Sequence, residues 1–387
     1  MKRIGLIAPF MLPDIGGANV YCFELAKGLA QLGHDVHLFA HESALADPAY
    51  TLHPILTRNL AVDLDLLDGF DMDVWHSLYF FYAPIALRKP RVFITGHGDD
   101  FFGFRLRFVW PKRAWARRHL IWRLPPAVQQ WGEGRLEVME KRFNHQVFAD
   151  AVKRARQIIA VSRFSRDRFC ESFAEGQGKT TVVPPGVNEA FFRERDRPLG
   201  RRRLLTVTRL DPADRIKNVH GVIEALGHLK DHFDFEYHVV AGDQRGSYRA
   251  EVEELIRRHG LEQRVRIHGR LPLADLIQHY RDADLFVLVS YAEPQNFEGF
   301  GIVFLEANAA GTPVLTSRQG GMSDYVEEGV NGFYVDDPSP AGITQALRRF
   351  FEGGIAFRTD EVKRKPVDYR WPMIAKQVAD TYDRHWN

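Results

Sequence analysis

Residues 298–317 read Glu298-Gly299-Phe300-Gly301-Ile302-Val303-Phe304-Leu305-Glu306-Ala307-Asn308-Ala309-Ala310-Gly311-Thr312-Pro313-Val314-Leu315-Thr316-Ser317. Two carboxylates bracket a glycine-led apolar run. Gly311-Thr312-Pro313 then stops a helix, and Val314-Leu315 opens a strand. A helix running from the first glycines would offer unpaired N–H groups and a positive dipole end to an anion. At about 1.5 Å of rise per residue the carboxylates would stand roughly 12 Å apart along its axis. That is about the span from sugar to ribose in a nucleotide-sugar. The spacing therefore suggests Glu298 on sugar hydroxyls, Glu306 on ribose hydroxyls, and the helix end on the diphosphate between. The plainer alternative is an amphipathic helix with two surface glutamates. The glycines, the apolar run and the Gly-Thr-Pro-Val ending favour the ligand reading.

With this dressing the stretch resembles the signature of retaining glycosyltransferases of family four, which have the GT-B fold. The resemblance implies two Rossmann-like, doubly wound parallel-sheet domains facing a cleft. It also implies a last helix that crosses back to the first domain. The expected division is 1–193 for an acceptor-side domain, 194–368 for a nucleotide-sugar-binding domain, and 369–387 for the returning helix.

Bulk properties agree. A chain of 387 residues, 45% apolar and 26% charged, has material for two cores. A formal charge of +2 is too small to argue for nucleic acid. Cys22 and Cys170 give no disulfide framework, and no Cys/His cluster has zinc spacing. No apolar run approaches a bilayer span, so the chain is expected to be soluble and cytoplasmic, or peripheral on the inner membrane face.

The order of elements is that of a doubly wound sheet. Ile4–Ala8 reads as a buried strand, followed by a loop with Gly16-Gly17, a helix over Val20–Leu32 ending at Gly33, and a strand over His34–Ala40. Glycines after the strand let backbone N–H groups approach a phosphate, although a Gly-Gly pair alone is often a plain turn. Val74–His76 and Val92–Thr95 are short strands. His97, flanked by Gly96 and Gly98, lies at a strand end where open sheets bind ligands, and the resemblance places such a histidine beside the reacting sugar. His76 also ends a strand, and a structural role and a site role both stay open for it. Asp71 and Asp73 form a literal Asp-x-Asp but read as a turn and a strand start. A helix over Arg142–Arg156 leads to a strand and to a cap at Ser162. Glu189–Arg203 is the best linker, and a second alternation begins at Leu204.

Arg209 and Lys217 flank the loop after that strand. Two cations there suit a diphosphate, the alternative being two solvated surface cations. The resemblance makes both phosphate ligands. Where family members often have Lys-Gly, this chain has Lys217-Asn218, and Asn tolerates a left-handed conformation. The insertion Pro294-Gln295-Asn296-Phe297 makes Glu293 a rival first carboxylate. The Gly299-Phe300-Gly301 context decides for Glu298. The resemblance thus implies catalytic roles for His97, Glu298, Arg209 and Lys217. It implies donor contacts from Gly16, Gly17, Arg209, Lys217, Glu298, Gly299, Phe300, Gly301, Ile302 and Glu306. No metal and no cofactor are expected, the nucleotide-diphosphate sugar being a substrate.

Phe101–Leu124 is different in kind. Seven cations (Arg105, Arg107, Lys112, Arg113, Arg117, Arg118, Arg123) are interleaved with seven aromatics and no acid. An anionic membrane surface, an anionic acceptor and a partly core-packed insertion all remain open. The expected activity is retaining sugar transfer to a glycan, glycolipid or small-molecule acceptor, in cell-envelope polysaccharide or lipopolysaccharide synthesis. A phosphorylase, a sugar-nucleotide epimerase or an inactive nucleotide-sugar-binding protein are the alternatives.

Overall fold

In a computed structural model the two alternations become two parallel sheets. The structure describes residues 1–8, 16–41, 46–57, 59–102, 126–195, 198–242 and 246–386. Strands β1 (Arg3–Ile7), β2 (Asp35–Phe39), β3 (Thr51–His53), β4 (Val74–Ser77), β5 (Val92–Gly96), β6 (Gln157–Ala160) and β7 (Thr180–Val182) form the first sheet, in the order β3-β2-β1-β4-β5-β6-β7. Strands β8 (Arg203–Val207), β9 (Glu236–Val240), β10 (Val265–His268), β11 (Leu285–Val287), β12 (Val314–Ser317) and β13 (Gly332–Val335) form the second, in the order β10-β9-β8-β11-β12-β13. Every pairing is parallel, so the strands must be covered on both faces. This is why Ile4, Leu6 and Ile7 are all fully buried although they face opposite sides.

The winding direction reverses between β1 and β4 in one sheet and between β8 and β11 in the other. Open α/β sheets bind ligands outside the carboxyl ends of such strands. Helix α1 (Gly17–Gln31) follows β1 and ends as expected at Gly33, where φ is +84°. Helix α2 (Leu60–Asp68) and strand β3 had no clear sequence signal. Helix α3 spans Pro126–Arg154, starting well before Arg142. Proline's fixed φ suits the first turn of a helix, which allows the start at Pro126. Helix α4 (Arg163–Ser172) is capped by Ser162, whose side chain accepts from Ser165 N at 2.9 Å.

The second domain adds α5 (Val219–Leu229), α6 (Ser247–Arg258), α7 (Leu273–Asp282), α8 (Ile302–Ala309), α9 (Pro340–Phe351) and α10 (Thr359–Arg364). Helix α11 (Trp371–Arg384) then returns to the first sheet. Its Trp371, Ile374, Ala375, Val378 and Tyr382 are buried with Leu6, Leu25, Leu29 and Phe93 of the first domain. A Cβ on Gly28 of α1 would stand 2.5 Å from Ala375 Cβ, so glycine permits this close helix crossing. His76, fully buried, is hydrogen-bonded to Tyr382 Oη at 2.6 Å and Thr95 Oγ1 at 2.7 Å. It is a structural tie to the returning helix.

Candidate active site

Four strand ends contribute. Gly17 opens α1 after β1, His97 follows β5, Arg209–Lys217 follow β8, and Asn296–Ile302 lie between β11 and α8. Their residues line one interdomain cavity of ≈ 220 Å³. Gly17, His97, Arg209, Lys217, Glu298, Gly299, Phe300, Gly301 and Ile302 are thus brought together. The cavity wall does not include Gly16 or Glu306.

The cations are organised by an acid, Asp214, that the sequence pattern does not single out. Pro212–Lys217 forms a 3-10 turn capped by Asp211, which accepts from Ala213 N at 2.9 Å. The turn buries Asp214, which accepts from Arg209 Nε at 2.8 Å and from Nη2 at 3.2 Å. Lys217 Nζ lies 3.2 Å from the same carboxylate. One buried anion between two cations leaves a net positive charge with fixed geometry. Asn218 adopts the left-handed conformation at φ 60°, so it does what glycine would do there.

The signature stretch is not helical from its first glycines. Helix α8 begins only at Ile302, capped by Gly301 at φ +86°. The axial-rise estimate therefore applies only from Ile302 onward. The residues before it run as a loop because two backbones meet there. A Cβ on Gly299 would overlap the His97 carbonyl oxygen and lie 2.9 Å from Gly98 Cα. Ser165 Oγ donates to Gly299 O at 3.1 Å. The inserted Phe297 is buried in the first domain's core, its ring centroid 5.0 Å from Phe164, 6.0 Å from Phe102 and 6.2 Å from Phe101. Glu293, by contrast, is exposed at the base of a tight turn closed on Asn296.

His97 Nε2 donates to Leu78 O at 2.7 Å, which leaves the lone pair on Nδ1. Burial holds its pKa down to about 4, against a smaller upward pull from that hydrogen bond. The neutral ring can accept from a hydroxyl. Asp100 secures the loop by accepting from His97 N at 2.8 Å and Gly98 N at 3.2 Å. Burial nevertheless pushes Asp100 up to about 6. Glu306 stands on α8, partly buried, and accepts from Tyr280 Oη at 2.8 Å. Burial raises it to about 7, with the tyrosine hydrogen bond pulling the other way.

Asp71 and Asp73 lie at the amino end of β4, opposite the cleft. Asp73 is spent on Arg3 N at 2.8 Å. Of the aromatic–cationic segment, Phe101 is buried and packs on Phe80 and Phe169, which makes it core. Residues 103–125, with all seven cations, lie outside the described residues.

Two parallel-sheet domains with a cleft of cations, neutral histidine and glycine-framed carboxylate define a GT-B glycosyltransferase. The description "Glycosyltransferase Family 4" matches residues 15–191 and "Glycosyl transferases group 1" matches residues 187–365. The chain belongs to these glycosyltransferases. It is similar to the D-inositol 3-phosphate glycosyltransferase of Acidothermus cellulolyticus, at 28% identity over 100% of this chain and 88% of the relative. It is also similar to the glycogen synthase of Mycobacterium tuberculosis, at 27% identity over 95% of this chain and 91% of the relative. The solved structure of HepE from Anabaena in complex with UDP superposes with a TM-score of 0.72 at 20% identity, over 99% of this chain and 100% of that one. Among the described residues no helix is long and apolar enough to cross a membrane.

Proposed function

We propose that the cleft takes a nucleoside-diphosphate sugar and transfers its sugar, with retention and without a metal, to an acceptor presented by the first domain. The observation that carries this reading is the convergence of Arg209 and Lys217, clamped by Asp214, with Glu298 and His97 on one cavity. The diphosphate lies between the two cations and the amino end of α8. Gly17 opens a second helix end opposite, its position 3.4 Å from Ile302 Cδ1 when a Cβ is built on it. Glu298 and the Nδ1 lone pair of His97 accept from sugar hydroxyls, and Glu306 accepts from the ribose. Gly16 shapes the loop into α1.

In the transfer the bond from the sugar's anomeric carbon to the phosphate oxygen breaks, and its electron pair leaves with the nucleoside diphosphate. The acceptor oxygen bonds to the same face of the sugar, and its proton passes to the departing phosphate oxygen. Catalysis then rests on positioning and on stabilising the phosphate charge. UDP-glucose is the first donor to test, because the Anabaena relative has been solved with it.

Glu298→Gln should lower turnover far more than affinity for the free nucleoside diphosphate, read by steady-state kinetics and calorimetry. Equal turnover in the variant would remove Glu298 from the sugar site. Slow donor hydrolysis by the wild type supports a transferase. Isomerised donor sugar would identify an epimerase instead, phosphate-dependent cleavage a phosphorylase, and binding without turnover a sensor.

The acceptor belongs to envelope polysaccharide or glycolipid synthesis in this proposal. The Phe101–Leu124 segment brings the first domain to an anionic membrane, supported by its seven cations and absence of acids. Co-sedimentation with anionic vesicles should fall with salt and with Arg113, Arg117 and Arg118 changed to Gln. No binding at low salt would leave an acceptor reached from solution.

A further inference from the structure

His238, His268 and His279 show no zinc spacing in the sequence, because they lie on three separate elements. The topology brings them together. His238 on β9 pairs with Arg266 on β10, so His268, two residues further, points to the same face. Their opposite-facing neighbours Tyr237, Val239 and Ile267 pack into the core, which fixes both histidines outward. Helix α7 lies over that face and adds His279, its ring edge-on to both others at centroid distances of 5.7 and 4.7 Å. One ring nitrogen from each residue lies within 4.8 Å of the others, and all three side chains are half-buried.

We propose that His238, His268 and His279 form a binding site for a divalent transition-metal ion of the zinc class, separate from the sugar-transfer cleft. His238 Nδ1 and His268 Nε2 are 3.0 Å apart. Two nitrogens bound at ~2.0–2.1 Å to one tetrahedral ion stand about 3.3 Å apart, so little movement is needed. His279 Nδ1 donates to Asp275 O at 2.9 Å, which leaves Nε2 as the nitrogen with the lone pair. Such an outer hydrogen bond is what orients a ligating imidazole. On the far side of His238, Nε2 lies 3.6 Å from Glu236 Oε2, a carboxylate placed to play the same role.

An adjoining hollow of ≈ 250 Å³ is lined by His238 and His279 with Asp275, Gln278 and Asp282. It gives a fourth ligand, water or carboxylate, room to approach. None of its lining residues lines the cleft. Three imidazoles select zinc, nickel, cobalt or copper over magnesium and calcium, which want oxygen. Bound there, the ion would clamp α7 to β9 and to the edge strand β10.

The full-length protein, stripped with chelator and dialysed, is titrated with Co²⁺ and with Zn²⁺. The wild type should take one tight equivalent, with the visible absorption of four-coordinate Co²⁺ and a thermal midpoint raised by Zn²⁺ but not by Mg²⁺. His268→Asn and His279→Gln should each weaken that equivalent on the order of 100-fold. Circular dichroism checks that each is folded, and His238→Asn replaces either one that is not. Equal stoichiometry and affinity in wild type and variants would place the metal on other histidines and overturn the proposal. So would the absence of a tight equivalent in the wild type. Neither result bears on sugar transfer.

Discussion

Glu306 makes the assignment of the ribose site sensitive to pH. Its carboxyl titrates near 7 instead of 4.5 because α8 holds it in a half-buried position. If ribose hydroxyls donate to the carboxylate, only the ionised fraction is competent. That fraction is about one in eleven at pH 6 and about ten in eleven at pH 8. Apparent affinity scales with the competent fraction, so Glu306 alone contributes about a tenfold gain, or ~1.4 kcal/mol, across those two units. Calorimetric titration with the nucleoside diphosphate at pH 6, 7 and 8 measures it. The ligand's own phosphate titration is common to wild type and Glu306→Gln, so the difference between their slopes isolates the carboxyl. Parallel slopes would refute the ribose role. Stability supplies an independent check. The folded protein holds this proton more tightly than the unfolded chain. The carboxyl therefore contributes stability below about 4.5 that is lost as pH rises through about 7. Glu306→Gln should accordingly gain more in thermal midpoint, relative to wild type, at pH 8 than at pH 5.

Arg209→Gln should weaken the nucleoside diphosphate by ~1.5–3 kcal/mol, and Mg²⁺ should leave the wild-type affinity unchanged; a Mg²⁺ requirement would contradict the assignment of phosphate charge to side chains. Gly299→Ala, whose Cβ would overlap the His97 carbonyl oxygen, should cut kcat/KM about 10- to 100-fold by spreading the cleft, and normal kinetics would show that the loop can yield. Trp371→Ala removes a side chain that is 3% exposed and should cost ~3–5 kcal/mol in urea unfolding; a loss below ~1 kcal/mol would mean that α11 is dispensable to the first core.

The sequence announces those parts of the molecule that depend on local pattern. Continuous apolar runs such as Ile4–Ile7 and Leu285–Val287 become buried parallel strands, and Ser162 caps the helix that follows β6. Strand β3 is only three residues, Thr51–His53, and carries too little pattern to stand out. The start of α8 lies later than the sequence suggests because Gly299 and Gly301 serve a loop whose shape is set by Gly98 and His97, some 200 positions earlier. Asp214 is in plain view between Arg209 and Lys217, but an acid beside two cations signals a surface pair until the turn is seen to bury it. Phe297 looked like part of an insertion, and only its position against Phe164 shows it anchoring one domain in the other. The histidine triad has no sequence signal, since it is assembled by strand register and by a helix crossing above it.

The return of α11 also sets a schedule for synthesis. The first sheet's last strand leaves the ribosome ~200 residues ahead of Tyr382, which at ~5–20 residues per second is about 10–40 s. Throughout that interval the face carrying Leu25, Leu29 and Phe93 has no α11 to cover it. The second domain, whose strands and α5–α10 all precede Trp371, can close its own core in that time. The half of the protein made first is therefore the half finished last. While translation continues, its apolar face is the surface for a holding chaperone to shield.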